Sequence, residues 1–164
     1  MKIERKWAMP NKRTFQIKPI KELINREVRS YDNWLDPFPY PYKRDALEEL
    51  ANWKNNAFYG VLFDPPYSPR QLKECYDNLG MSLTDTKSSV WSKWKDEIAR
   101  VIQPGGKCIS FGWSSNGLGK NRGFEIIYIL LVAHGGNHND TICTVEKKVN
   151  NTLIQTPNQH NKKD

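Results

Sequence analysis

Apolar and polar positions along this chain switch repeatedly between helical and strand periods, and the switches outline an α/β domain. Ile20, Leu23, Ile24 and Val28 recur at helical spacing behind Pro19, which sits where a first-turn proline belongs. Residues 30–36 read as a short strand ending at Asp36-Pro37, and Asp45 as the cap of a helix over 46–53. The run Ala57-Phe58-Tyr59-Gly60-Val61-Leu62-Phe63 predicts a buried strand over 57–63. Ser68-Pro69-Arg70 opens a helix through about residue 79, with Leu72, Cys75 and Tyr76 on one face. Val90, Trp94, Ile98 and Val101 form the apolar stripe of an amphipathic helix over 90–101. Strands follow over 107–113, 124–133 and 141–148. The last two are joined by His134-Gly135-Gly136-Asn137-His138-Asn139-Asp140, which predicts an antiparallel hairpin at the sheet edge, with both histidines in solvent. Residues 1–14 read as an extended, basic and aromatic lead-in, 80–89 as a mobile loop, and 150–164 as a polar, disordered tail.

A chain of 164 residues supports one domain with one core, placed here over 1–149. Apolar content of 38% with 12% aromatic residues suffices for a globular fold, and a mean hydropathy of −0.74 marks a polar surface. The net charge of +7 suits a polyanionic partner, although basic balance alone is a weak argument. Cys75, Cys108 and Cys143 lie more than thirty residues apart and lack metal-ligand spacing, so they read as reduced thiols and no metal is expected. No apolar run approaches the roughly 18 residues of a membrane span, and residues 1–6 lack the apolar core of a signal peptide. The expected location is the cytoplasm.

The candidate chemistry lies in Asp64-Pro65-Pro66-Tyr67, directly after the 57–63 strand. A strand that delivers an acid, two prolines and an aromatic at its C-terminal edge puts them where α/β sheets bind ligands. Together they suit the methylation of an exocyclic amine on a base. That nitrogen is a poor nucleophile, because its lone pair is conjugated into the ring. The Asp64 carboxylate and the Pro65 carbonyl supply two acceptors for its hydrogens. The two prolines hold the backbone and remove competing donors. Tyr67 supplies a stacking face for a base taken out of the helix. The competing reading is a plain strand-ending turn.

The tetrapeptide resembles the signature of the S-adenosylmethionine-dependent DNA amino-methyltransferases. The flanks extend the resemblance in the family's order, over roughly residues 14 to 148. Phe15 to Ile24, with Lys18-Pro19, is similar to the helix start beside the cofactor. Leu35-Asp36-Pro37-Phe38 resembles the opening of the cofactor loop, and Arg44-Asp45-Ala46-Leu47 a segment further along it. Glu97 to Lys107 resembles the helix and Pro-Gly-Gly turn that follow the catalytic strand. The resemblance implies a Rossmann-like α/β fold with a mixed sheet. It implies catalysis by Asp64, Pro65, Pro66 and Tyr67, and a cofactor wall built from Phe15, Lys18, Pro19, Asp36, Pro37, Phe38, Asp45 and Ala46. The implied reaction is methyl transfer from S-adenosylmethionine to the N6 amine of adenine in DNA, with cytosine N4 as the nearest variant.

One region departs from the family. Its glycine loop is replaced by Pro39-Tyr40-Pro41-Tyr42, and no glycine occurs before Gly60. Only the six residues 39–44 separate Phe38 from Asp45, and they span at most about 20 Å fully extended. Relatives place a helix, a second strand and an acidic ribose clamp in this interval, so the sheet is expected to be reduced on the cofactor side. Either a rebuilt loop holds the adenosine, or binding is weak or lost. A degenerate, non-catalytic domain that binds DNA or a partner subunit is the rival reading, and RNA as the substrate is a third.

Smaller features stay open. Ser110 to Lys120 ends a strand in a glycine-rich loop that lacks phosphate-loop spacing and fits a base pocket or DNA backbone better. Trp113 suits a base stack or a core position. Lys2, Arg5, Lys6, Lys12 and Arg13, interleaved with Trp7, suit phosphate contacts or a solvated end. No stretch has room for a separate base-reading domain, so a second subunit is the expected source of sequence recognition or dimerisation.

Overall fold

The computed structural model describes residues 1–39, 44–80 and 89–149. The expectations for most of the 80–89 loop, for Tyr40 to Tyr42 and for the 150–164 tail fall outside these residues. Six strands and four helices follow in chain order among the described residues. They are β1 (Lys2–Trp7), α1 (Lys18–Glu27), β2 (Trp34–Leu35), α2 (Ala46–Ala51), β3 (Phe58–Phe63), α3 (Pro69–Asn78), α4 (Ser89–Val101), β4 (Ile102–Gly112), β5 (Phe124–Ala133) and β6 (Thr141–Lys148). The strands form one mixed sheet in the order β1-β5-β6-β4-β3-β2.

The parallel half, β2-β3-β4, is joined by helical crossovers, the Rossmann-like arrangement. The C-terminal hairpin is antiparallel, and β6 inserts between β4 and β5. Period-two alternation sends successive side chains to opposite faces. On one face Val61, Phe63 and Cys108 pack with Leu50, Leu72, Trp94 and Ile98 from α2, α3 and α4. On the other, Ile109, Phe111, Leu130 and Val145 pack with Ile20 and Leu23 of α1. The core is therefore two apolar layers around a sheet with helices on both sides. At Gly60 a Cβ would lie 2.5 Å from the Trp34 ring, so only glycine lets β2 dock on β3.

Several expectations need correction. The lead-in is a sheet strand, because β1 pairs in parallel with β5 from Lys2↔Tyr128 to Trp7↔Ala133. The hairpin is consequently not the edge of the sheet. The sequence hid β1 because its residues are almost all exposed, which removes the apolar alternation. The strand expected over 30–36 shrinks to Trp34–Leu35 at the opposite edge. The Pro-Gly-Gly turn lies inside β4 as a bulge, since the partners jump from Phe58↔Ile102 to Gly60↔Lys107. His134 is 6% exposed, and its ring nitrogens bond the Ala8 carbonyl at 2.8 Å and Thr141 Oγ1 at 2.9 Å. It fastens the end of the lead-in to the hairpin, whereas His138 is exposed.

Candidate active site

The chain leaves β3 through Asp64-Pro65-Pro66-Tyr67 and enters α3 at the capping residue Ser68. Two successive prolines deny the sheet two N–H donors, so the ladder stops here. Ser68 Oγ accepts the Gln71 N–H at 3.2 Å, and Gln71 Oε1 accepts the Tyr67 N–H at 2.8 Å. This is capping-box logic displaced one residue upstream, and it fixes the turn that presents Tyr67.

Tyr67 Oη donates to Asp64 Oδ1 at 2.6 Å. The Tyr67 ring meets Trp113 edge-on, with centroids 5.6 Å apart. Trp113 is 48% exposed, which removes the core reading. Trp91 Nε1 donates to the Pro66 carbonyl at 3.2 Å. The Pro65 carbonyl takes no hydrogen bond among the described residues.

Burial pushes the Asp64 carboxyl up to about 6. Hydrogen bonds from Tyr67 and Thr14 pull the other way, and the nearby Asp36 carboxylate adds to the rise. Asp36 is also raised by burial, against one backbone bond from the Phe38 N–H at 2.9 Å. Neither acid has an ion-pair partner among the described residues.

Pro65, Pro66 and Tyr67 form a wall shared by two cavities, and Asp64 lines the larger of them. The larger, about 600 Å³, is lined by Phe15, Asp36, Phe38, Asp64, Pro65, Pro66 and Tyr67, and by Lys12 and Arg13. The smaller, about 260 Å³, is lined by Pro65, Pro66 and Tyr67 together with Trp91, Lys95, Trp113 and Ser114. Gly112 and Gly117 also line it, so the glycine-rich loop after β4 belongs to this site.

The larger cavity has the size of a cofactor site. Its two half-buried carboxylates without cationic partners suit a cationic ligand such as a sulfonium, and Phe15 and Phe38 supply apolar walls. Phe15, Asp36 and Phe38 line one cavity with residues 64–67. Lys18, Pro19, Pro37, Asp45 and Ala46 do not line that cavity. Lys18 is exposed on the first turn of α1, and Pro19 is buried there toward Glu4 and Tyr128. Pro37 is buried. Asp45 caps α2 by accepting the Leu47 and Glu48 N–H groups at 2.7 and 2.9 Å, and it also accepts the Tyr76 hydroxyl. Ala46 lines a narrow crevice beside Phe38 and Pro66.

The sequence reading missed Gln71, Glu74 and Asn78 of α3, which line the larger cavity. Their three- and four-residue spacing places them on one helix face, a signal that was present in the sequence. Lys95 was also missed, because a single lysine on an amphipathic helix reads as its solvated side.

No protein-family model matches the chain, and no curated protein matches it. Among solved structures it is similar to TrmN from Thermus thermophilus, with a TM-score of 0.43 and 12% identity. That match covers 91% of this chain but 44% of TrmN, so the chain spans less than half of that protein. It is also similar to a protein from Methanosarcina mazei described as a SAM-dependent methyltransferase, with a TM-score of 0.42 and 11% identity. This second match covers 90% of this chain and 92% of the other. Similarity this low leaves the functional argument with the site's own residues.

Proposed function

We propose that the protein transfers a methyl group from S-adenosylmethionine to the N6 amine of adenine in DNA. The observation that carries this reading is the wall that Pro65, Pro66 and Tyr67 form between two cavities, with Asp64 bonded to Tyr67 on the side of the larger one. A transfer enzyme needs a donor site and an acceptor site that meet at one set of groups. The larger cavity, with Asp36, Asp64, Phe15 and Phe38, is the donor side. The smaller one, flanked by Tyr67 and Trp113, is the acceptor side.

S-adenosylmethionine supplies an electrophilic methyl on a positively charged sulfur. Asp64 and the Pro65 carbonyl each accept one hydrogen of the target amine, which concentrates its lone pair on nitrogen. The Tyr67 ring holds the base plane, and its hydroxyl keeps Asp64 in place. Ionised Asp64 stabilises the positive charge that develops on the amine and is within reach of the departing proton. Positioning and preorganised electrostatics account for the rate. Cytosine N4 poses the same chemical problem, and an RNA adenine presents the same amine.

Calorimetric titration with S-adenosylmethionine, followed by transfer of a radiolabelled methyl to DNA and identification of the methylated base, tests the reading. The expected result is saturable binding and N6-methyladenine as product. Neither binding nor transfer would remove it. A second reading, a non-catalytic domain that binds DNA or a partner, draws on the two-residue edge strand β2 and the shortened cofactor side. DNA binding without any S-adenosylmethionine binding would favour it.

A further inference from the structure

Lys95 projects from α4 into the lining of the smaller cavity, beside Trp91, Trp113 and Ser114. It is half-buried, and among the described residues its ammonium has no hydrogen bond and no ion pair. Burial draws its pKa below the usual lysine value, and Arg122 draws it further down, with Glu146 opposing. Neither neighbour is available as a close partner. Glu146 is fully buried, and its two oxygens accept the Leu118 and Gly119 N–H groups at 2.6 and 2.9 Å. Arg122 is committed to Asp96, Ser92 and the Leu118 carbonyl.

A half-buried ammonium that still reaches water and has no partner among the described residues is open to a ligand that supplies an opposite charge or an acceptor. Two ligand groups qualify, a ring nitrogen of the base and a phosphate. A cation on the ring nitrogen next to the amine would pull electron density from the atom that must attack the methyl. A phosphate carries no such penalty, and lysine serves it well as a point charge. Among the lining residues the Tyr67 and Trp113 rings suit the base, and the Lys95 ammonium is left for the anion.

We propose that Lys95 binds a phosphate of the target nucleotide, so that the acceptor is a phosphorylated nucleotide within a strand and not a free base or nucleoside. This inference rests on the reading of the smaller cavity as the acceptor site. The test compares binding of 2′-deoxyadenosine with its 3′- and 5′-monophosphates, by calorimetry, for the unmodified protein, Lys95→Met and Lys95→Arg. The unmodified protein should prefer one monophosphate about 10-fold or more, in line with a charge-assisted contact. Lys95→Met should erase the preference, and Lys95→Arg should keep most of it. On a single-stranded oligonucleotide, Lys95→Met should also lower the slope of log affinity against log salt by about 0.7. An undiminished monophosphate preference in Lys95→Met would overturn the inference alone. Equal losses for nucleoside and nucleotide would put Lys95 on the base edge and overturn it too. If the unmodified protein bound none of the three compounds, the acceptor-site reading itself would fall.

Discussion

The hydroxyl of Tyr67 donates to Oδ1 of Asp64 at 2.6 Å, so the proposed stacking residue and the proposed amine acceptor are one hydrogen-bonded unit. Burial raises the Asp64 carboxyl to about 6, and this bond keeps it from rising further. Transfer that needs ionised Asp64 should therefore climb with pH around 6 and level off above it. Tyr67→Phe keeps the ring and removes the bond. Its midpoint should move upward by about one pH unit, the equivalent of one hydrogen bond to a charged group. Single-turnover rates across pH 5 to 9 measure this, and an unmoved midpoint would uncouple the two residues.

Asp64→Ala should lower methyl transfer by about 100- to 1000-fold, the usual loss for one positioned electrostatic contact. S-adenosylmethionine binding, read by calorimetry, should still be detectable, because Phe15, Asp36 and Phe38 remain in the donor cavity. Undiminished transfer by this variant would remove the mechanism.

The same carboxylate should weaken the fold at neutral pH. Its folded value of about 6 lies above the ordinary aspartate value of 3.8. The folded state thus holds the proton more tightly, and stability falls as pH rises from about 4 to about 6. Asp64→Asn, which imitates the protonated form, should raise stability by about 1 to 3 kcal/mol above pH 6. The gain should vanish near pH 4. Denaturant midpoints at the two pH values decide this, and a gain that is equal at both would contradict it.

Gly117→Ala should destabilise the loop beside the acceptor cavity. Gly117 has φ of +49°, and an added Cβ would stand 2.2 Å from a Glu146 carboxylate oxygen. Glu146 cannot yield without losing its bonds to Leu118 and Gly119. A loss of about 2 to 4 kcal/mol is expected from backbone strain and broken buried bonds together. Thermal unfolding measures it, and an unchanged melting temperature would show that the loop relaxes freely.

DNA binding by this chain should fall steeply with salt, because its net charge of +7 favours contacts to phosphates. Methylation by this chain alone should then show little sequence context. Mapping methylated adenines on a mixed-sequence duplex checks this, and a long strict consensus would refute it.

The sequence by itself determined the elements that have strong periodicity and the chemistry that has a local signature. The strand leading to Asp64, the α4 stripe of Val90, Trp94, Ile98 and Val101, and the β5–β6 hairpin are all legible because apolar spacing encodes which face is buried. The 64–67 segment is legible because its chemistry lies in consecutive residues. Tertiary structure alone decided the rest. β1 carries no apolar alternation and becomes a strand only because β5 offers it a hydrogen-bonding edge. Asp45 looks like a cofactor residue in sequence, yet folding commits its carboxylate to the α2 cap and to Tyr76. His134 is drawn inside because Ala8 and Thr141, distant in sequence or across the hairpin, satisfy both ring nitrogens. Lys95 acquires meaning only from the cavity it lines. Local spacing records what a segment must bury, whereas partners between distant segments exist only after the sheet has closed around them.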